Sequence, residues 1–119
     1  MFDLLQRHRT WWQSSLLIVL GLAVYWPAVS FDFVNWDDPA YLDQNVLIKG
    51  WSWQNLKGIA TEVVTRNYAP LTIFSFDVEH TFWGLNPAGY HITNIVLHAI
   101  NGVLVFFLVR RLSESTFVG

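Results

Sequence analysis

Asp37 and Asp38 are the residues whose types most readily suggest chemistry. Neighbouring side chains point in different directions on a helix or a strand, so the pair does not share one proton as a carboxylate dyad does. One of them is expected to enter a site, while the other is solvated or caps a helix. A carboxylate held at a membrane surface accepts a proton from an incoming hydroxyl. Asp-Asp-Pro is also good turn chemistry, and on the residues alone a solvated turn accounts for it. A second constellation is His91, Asn94, His98 and Asn101, whose spacings of three, four and three share one helix face. Polar groups facing hydrocarbon are costly unless paired, so this face looks toward protein or trapped water. Helix packing through interhelical hydrogen bonds is the expectation for Asn94, His98 and Asn101. His91, nearest the loop, is open between packing and a polar cavity.

The elements that position these residues follow from hydropathy. Residues 1–10 carry Arg7, His8 and Arg9. Residues 11–30, opened by Trp11 and Trp12, are apolar over a length close to the hydrocarbon thickness. Pro27 sits where it ends or kinks that helix. A signal peptide is the competing reading, with Ala28-Val29-Ser30 as a cleavage site; length and the Trp pair favour a retained span. Asn86 caps and Pro87 opens a second span over residues 87–112, closed by Arg110 and Arg111. Basic residues at the outer end of each span place both termini in the cytoplasm by the positive-inside rule. Residues 31–86 then form a periplasmic or lumenal loop, and residues 113–119 a cytoplasmic tail.

Within the loop, Ser52 caps a short helix near 52–64 with Trp53, Leu56, Ala60 and Val63 on one face. A second helix near 70–83 follows the break at Asn67-Tyr68-Ala69-Pro70, with Leu71, Phe74, Val78 and Phe82 on one face. Ser75, Asp77, Glu79 and His80 lie on its other side. Both helices are expected along the membrane surface, in preference to a small domain with its own core. The fold class is therefore an all-α membrane protein with two transmembrane helices joined by a loop carrying two amphipathic helices.

Composition agrees with lipid as part of the solvent. The chain of 119 residues is 53% hydrophobic and 13% charged, against about 25% charged in soluble domains. The net charge of −2 and the lack of basic runs argue against nucleic acid. With no cysteine there is no disulfide framework or thiolate chemistry. No residues have metal-ligand spacing, since His91 and His98 stand two turns apart on a helix.

Three runs together carry a resemblance. They are Phe31-Asp32-Phe33-Val34-Asn35-Trp36-Asp37-Asp38-Pro39-Ala40-Tyr41-Leu42, Asn67-Tyr68-Ala69-Pro70-Leu71-Thr72, and Trp83-Gly84-Leu85-Asn86-Pro87-Ala88-Gly89-Tyr90-His91 continuing through Asn94, His98, Asn101 and Arg110-Arg111. In order and spacing they resemble the N-terminal region of the GT-C membrane glycosyltransferases, in the tetratricopeptide-repeat-bearing, protein O-mannosyltransferase-like branch. The resemblance implies a polyprenyl-phosphate-linked sugar as donor and an acceptor on the non-cytoplasmic side. It makes Asp37 the general base and Asp38 the second acid of a catalytic pair. It makes Asn67, Tyr68, Pro70 and His91 substrate-binding. Leaving-group phosphate needs donors or positive charge, for which Arg66 and His91 are candidates. Family members have many more spans, so this chain is expected to be a front-end module that is not active alone. The alternative is a non-catalytic accessory subunit of a larger membrane complex, packing by its polar stripe and its aromatic-rich loop. No cofactor is evident otherwise. The expected partners are the lipid bilayer and other transmembrane helices, in a bacterial inner membrane or the endoplasmic reticulum.

Overall fold

A computed structural model describes the backbone of residues 2–116 and the side chains of residues 10–113. The side chains of Arg7, His8 and Arg9, and residues 117–119 of the tail, lie outside the described residues. Among the described residues four α-helices occur: α1 (Phe2–Tyr25), α2 (Trp53–Thr61), α3 (Pro70–Trp83) and α4 (Pro87–Thr116). No strand longer than a single bridge occurs among the described residues. Two compact units result, Met1–Ala28 with Ile92–Gly119, and Val29–His91.

The first unit is built from α1 and most of α4. Thr10–Ser30 and Pro87–Ser113, of 21 and 27 residues, are long and apolar enough to cross a membrane. Only 6% of each is buried. A core helix of a soluble protein would be mostly covered, so these bare apolar surfaces call for lipid or further helices around them. The α-helical path of α1 tightens into a 3-10 turn at Trp26–Ser30, where Pro27 has no N–H to donate. Tyr25 meets His98 edge-on, ring centroids 4.6 Å apart. Arg110 donates to the Thr10 hydroxyl at the other end. Ser14, Ile95 and Ala99 are the buried residues of this unit.

The second unit has a core of its own. Leu42, Leu47, Ile48, Ile59, Ile73 and Tyr90 are buried together, with Phe33, Tyr41, Val64 and Phe76 packed around them. The core of this unit is a difference from the expectation of surface helices without one. Its frame is α2, α3 and a 3-10 turn at Val46–Ile48, each packed on the other two. Asn45, itself buried, starts that turn by accepting from the Leu47 N–H (3.0 Å) and donating to the Tyr41 carbonyl (3.1 Å). Ser52 caps α2 by accepting from the Asn55 N–H at 3.0 Å. Pro70 and Pro87 occupy the first positions of α3 and α4, where a missing N–H costs nothing. Gly84 ends α3 at φ 58°, ψ −128°, a conformation that side chains with a Cβ avoid. Three edge-to-face ring pairs link Tyr90 to Phe33 and Phe76, and Phe76 to Tyr41.

Part of the apolar face of each helix in this unit is turned outward. On α2 the buried residues are Gly58 and Ile59, while Trp53 is 79% exposed, and Val63, expected on this helix, lies beyond its end at 61%. On α3 the buried residues are Ile73, Asp77 and Glu79, while Leu71 and Phe82 are 83% and 75% exposed. These parts of the apolar faces legible in the sequence are thus turned away from the core.

Two glycines mark where backbone and side chain come closest. A Cβ on Gly89 would fall inside the Trp83 indole, whereas one on Gly58 would meet only the end of the Leu47 side chain and the Glu62 carboxylate. Gly89→Ala is expected to lower stability by about 1–3 kcal/mol through overpacking. Gly58→Ala, whose neighbours can rotate, is expected to be near neutral because alanine gains about 1 kcal/mol of helix propensity. Thermal unfolding in mild detergent separates the two.

Candidate functional site

The two aspartates have different surroundings. The Val34 N–H donates to the Asp38 carboxylate at 2.7 Å, closing the turn that precedes the π-helical turn Pro39–Asp43. Asp37 contributes its backbone carbonyl, which accepts from the Ala40 and Tyr41 N–H groups at 3.0 Å each. Its carboxylate is exposed and has no hydrogen-bond partner among the described residues. One acid therefore maintains the turn and the other is held at its surface, available to a proton.

Asn67, Tyr68 and Pro70 form the arm that leads into α3. Val64 and Asn67 exchange both backbone hydrogen bonds, at 3.1 and 2.9 Å, around a two-residue turn. Thr65 and Arg66 within it adopt φ 49° and 66°. That is type I′ geometry, for which Asn-Gly is the preferred pair. A β-branched threonine in the left-handed region stores about 1–3 kcal/mol of strain. Tyr68 ties the arm to the end of α2 by donating its hydroxyl to the Ala60 carbonyl at 2.8 Å. Asn67, Tyr68 and Arg66 are all exposed. Half-buried His91 has an Nε2 with no hydrogen-bond partner. No hydrogen bond or ring contact among the described residues joins Asp37 to Asn67, Tyr68 or His91.

The polar stripe belongs to the other unit. Asn94, His98 and Asn101 are exposed on α4, and the His98 ring rests on Tyr25. Beside His98, Gly21 and Gly102 help to line a groove of about 270 Å³ between the helices.

Sequence reasoning missed the inner face of α3. Asp77 is wholly buried, and neither carboxylate oxygen has a hydrogen-bond partner. One turn further on, the Thr81 hydroxyl donates to the Asp77 carbonyl and accepts from the Trp51 indole at 2.7 Å. Trp51 also packs edge-on against Phe74, centroids 5.8 Å apart. The signal was available: Ile73, Phe76, Asp77 and His80 are spaced three, one and three, a face as regular as that of Leu71, Phe74, Val78 and Phe82.

Two membrane-length helices bracketing a compact helical unit, with a free aspartate on that unit, define a membrane protein module. Its relatives say which kind. The chain is 32% identical over 104 residues to protein O-mannosyl-transferase TMTC2 of Mus musculus, matching 81% of this chain and 12% of the relative. It is 30% identical over 107 residues to protein O-mannosyl-transferase TMTC3 of the mouse, matching 84% of this chain and 12% of that relative. Over 117 residues it is 26% identical to protein O-mannosyl-transferase F38B6.6 of Caenorhabditis elegans. No family model matches the chain, and no solved structure matches it. The chain is similar to part of these TMTC protein O-mannosyl-transferases, as a partial TMTC-like segment, and spans about 12% of the length of the relatives named first.

Burial pushes the Asp77 carboxyl above its ordinary value of 3.8, while the nearby Gly50 N–H, which falls short of hydrogen-bond geometry, and His80 pull less strongly the other way. The folded state then holds this proton more tightly than the unfolded chain. Stability contributed at this site is present in acid and is lost as pH rises past the ordinary carboxylate range. Asp77→Asn removes the titration, and is expected to raise the melting temperature at pH 7 and flatten its fall between pH 4 and pH 7 (about the carboxylate range). Melting curves of both proteins across that range check the sign.

Proposed function

We propose that this chain is the front-end module of a glycosyltransferase that takes a sugar from a polyprenyl-phosphate donor, with Asp37 as general base. The observation that carries this reading is the division of labour between the aspartates, in a chain similar to this family: Asp38 is occupied by the Val34 N–H and Asp37 is free. In the reaction the acceptor hydroxyl loses its proton to the Asp37 carboxylate as its oxygen attacks the anomeric carbon. The bond from that carbon to the phosphate oxygen breaks, and polyprenyl phosphate departs with the electron pair. Asn67, Tyr68 and Pro70 line the donor side, and His91 offers an imidazole to the leaving group. Asp38 keeps the turn that presents Asp37.

The same reading orients the chain with both termini cytoplasmic and residues 31–86 on the opposite side. The exposed faces of α2 and α3, with Trp53, Leu71 and Phe82, then rest on the bilayer surface, where tryptophan and other amphipathic rings concentrate. The exposed carboxamides of Asn94 and Asn101 favour packing of α4 against further transmembrane helices, as either a module of a longer enzyme or an accessory subunit requires.

Asp37→Asn in the protein carrying this segment is expected to lower transfer from polyprenyl-phosphate mannose to a hydroxyl-bearing peptide by about 100-fold or more. Asp38→Ala is expected to cost less in rate and more in stability, since it leaves the Val34 N–H without its acceptor. Full activity of the Asp37 variant, with assembly lost on Asn94→Leu instead, would replace the catalytic reading by the accessory one.

A further inference from the structure

Residues 29–91 hold seven carboxylates and three Lys or Arg residues, of which Arg66 is the single arginine. Carboxylates outnumber cations in this unit. Arg66 nevertheless pairs with no carboxylate among the described residues. Lys49 donates to the Asp43 carbonyl, and Lys57, which also pairs with no carboxylate among the described residues, stands on the ordinary helical backbone of α2. The backbone beneath Arg66 is in the left-handed region, as is that of Thr65. Glycine or asparagine would occupy these positions at less cost, and strain of this kind persists where the rest of the structure imposes it. The turn is imposed from both sides, by the paired Val64 and Asn67 backbones and by the Tyr68–Ala60 bond. The result is a cation held outward on a clamped tip, one residue before the Asn67-Tyr68 arm.

From this placement we infer that Arg66 is a phosphate-binding residue that engages the phosphate of the lipid-linked donor. The inference rests on the transferase reading above and names a contact within it. Guanidinium is suited to this because its planar fork of N–H groups matches two phosphate oxygens at once, whereas an ammonium acts as a point charge. The strained turn contributes pre-organisation, since the short I′ turn allows the arginine backbone little freedom.

The test uses the protein carrying this segment, purified into phosphatidylcholine nanodiscs and titrated separately with a short-chain polyprenyl monophosphate, a short-chain phosphatidylglycerol and inorganic phosphate. Arg66→Gln and Arg66→Gly are expected to weaken polyprenyl monophosphate binding about 10-fold, and Arg66→Lys about 3-fold, the loss of a bidentate charged contact. Thr65→Gly, which keeps the guanidinium but loosens the turn, is expected to weaken that affinity less than Arg66→Gln does. Both glycine variants are expected to melt at higher temperature than the parent, because they relieve the left-handed strain. An Arg66→Gly protein that is more stable yet binds less well is the signature of a binding residue, and a structural role would not produce it. Unchanged affinity in Arg66→Gln overturns the assignment, as does absence of polyprenyl monophosphate binding by the parent. Equal affinity for phosphatidylglycerol or inorganic phosphate, equally lost in Arg66→Gln, also overturns it, leaving a contact for anions in general. The transferase reading fails independently, through an active Asp37→Asn protein, so the two failures are distinguishable.

Discussion

Ile48 has no solvent exposure, and the second unit is organised around its burial with Ile59, Ile73 and Tyr90. A segment of this size, leading out of one membrane-length helix and into another, has few apolar side chains to spend on an interior. It secures them with local devices. Asn45 starts the turn that carries Leu47 and Ile48, Ser52 starts α2, and the Tyr90 hydroxyl reaches back to the Gly84 carbonyl at 2.8 Å. Each device satisfies a backbone group that would otherwise be left without a partner at a helix end.

The consequence of so small a core is that most of the large apolar side chains of α2 and α3 remain outside. Trp53, Leu71 and Phe82 are as uncovered as Trp12 and Leu16 on α1. For a water-soluble domain such a surface would be an aggregation hazard. In a unit joined at both ends to apolar spans, the reading proposed above assigns that surface to lipid or to other helices. The inward turn of Asp77 and Glu79 is the other half of the same arrangement: with the apolar face of α3 outside, its carboxylates face the interior. Burying a carboxylate without a partner is costly, and Asp77 is the plainest instance in this unit.

An acid and a cation are left free on two separate turns, each closed by backbone hydrogen bonds. At Asp37 the backbone carbonyl takes two N–H groups while the carboxylate takes none. At Arg66 the neighbouring backbone groups are paired while the guanidinium is not. Rigid turns with uncommitted side chains are how a small scaffold presents chemistry without a large core.

Much was legible from the sequence. Length and hydropathy mark two helices that can cross a membrane, because no short-range alternative satisfies so long an apolar run. The run from Asp37 through Asn67-Tyr68 to His91 carries the resemblance, and the likeness to the TMTC relatives, at about 30% identity over most of this chain, agrees with it. What the sequence left open was which face of α3 turns inward, because two faces carry equally regular spacings and periodicity alone does not choose between them. Only tertiary packing decided it: Ile73 fits against the Val46–Ile48 turn and α2, and Asp77 is carried inward on the same face. The strain at Thr65 and Arg66 was equally unreadable, since neither residue type favours the left-handed region. It follows from closing α2 onto α3 through a two-residue turn, a constraint that exists only once both helices are packed.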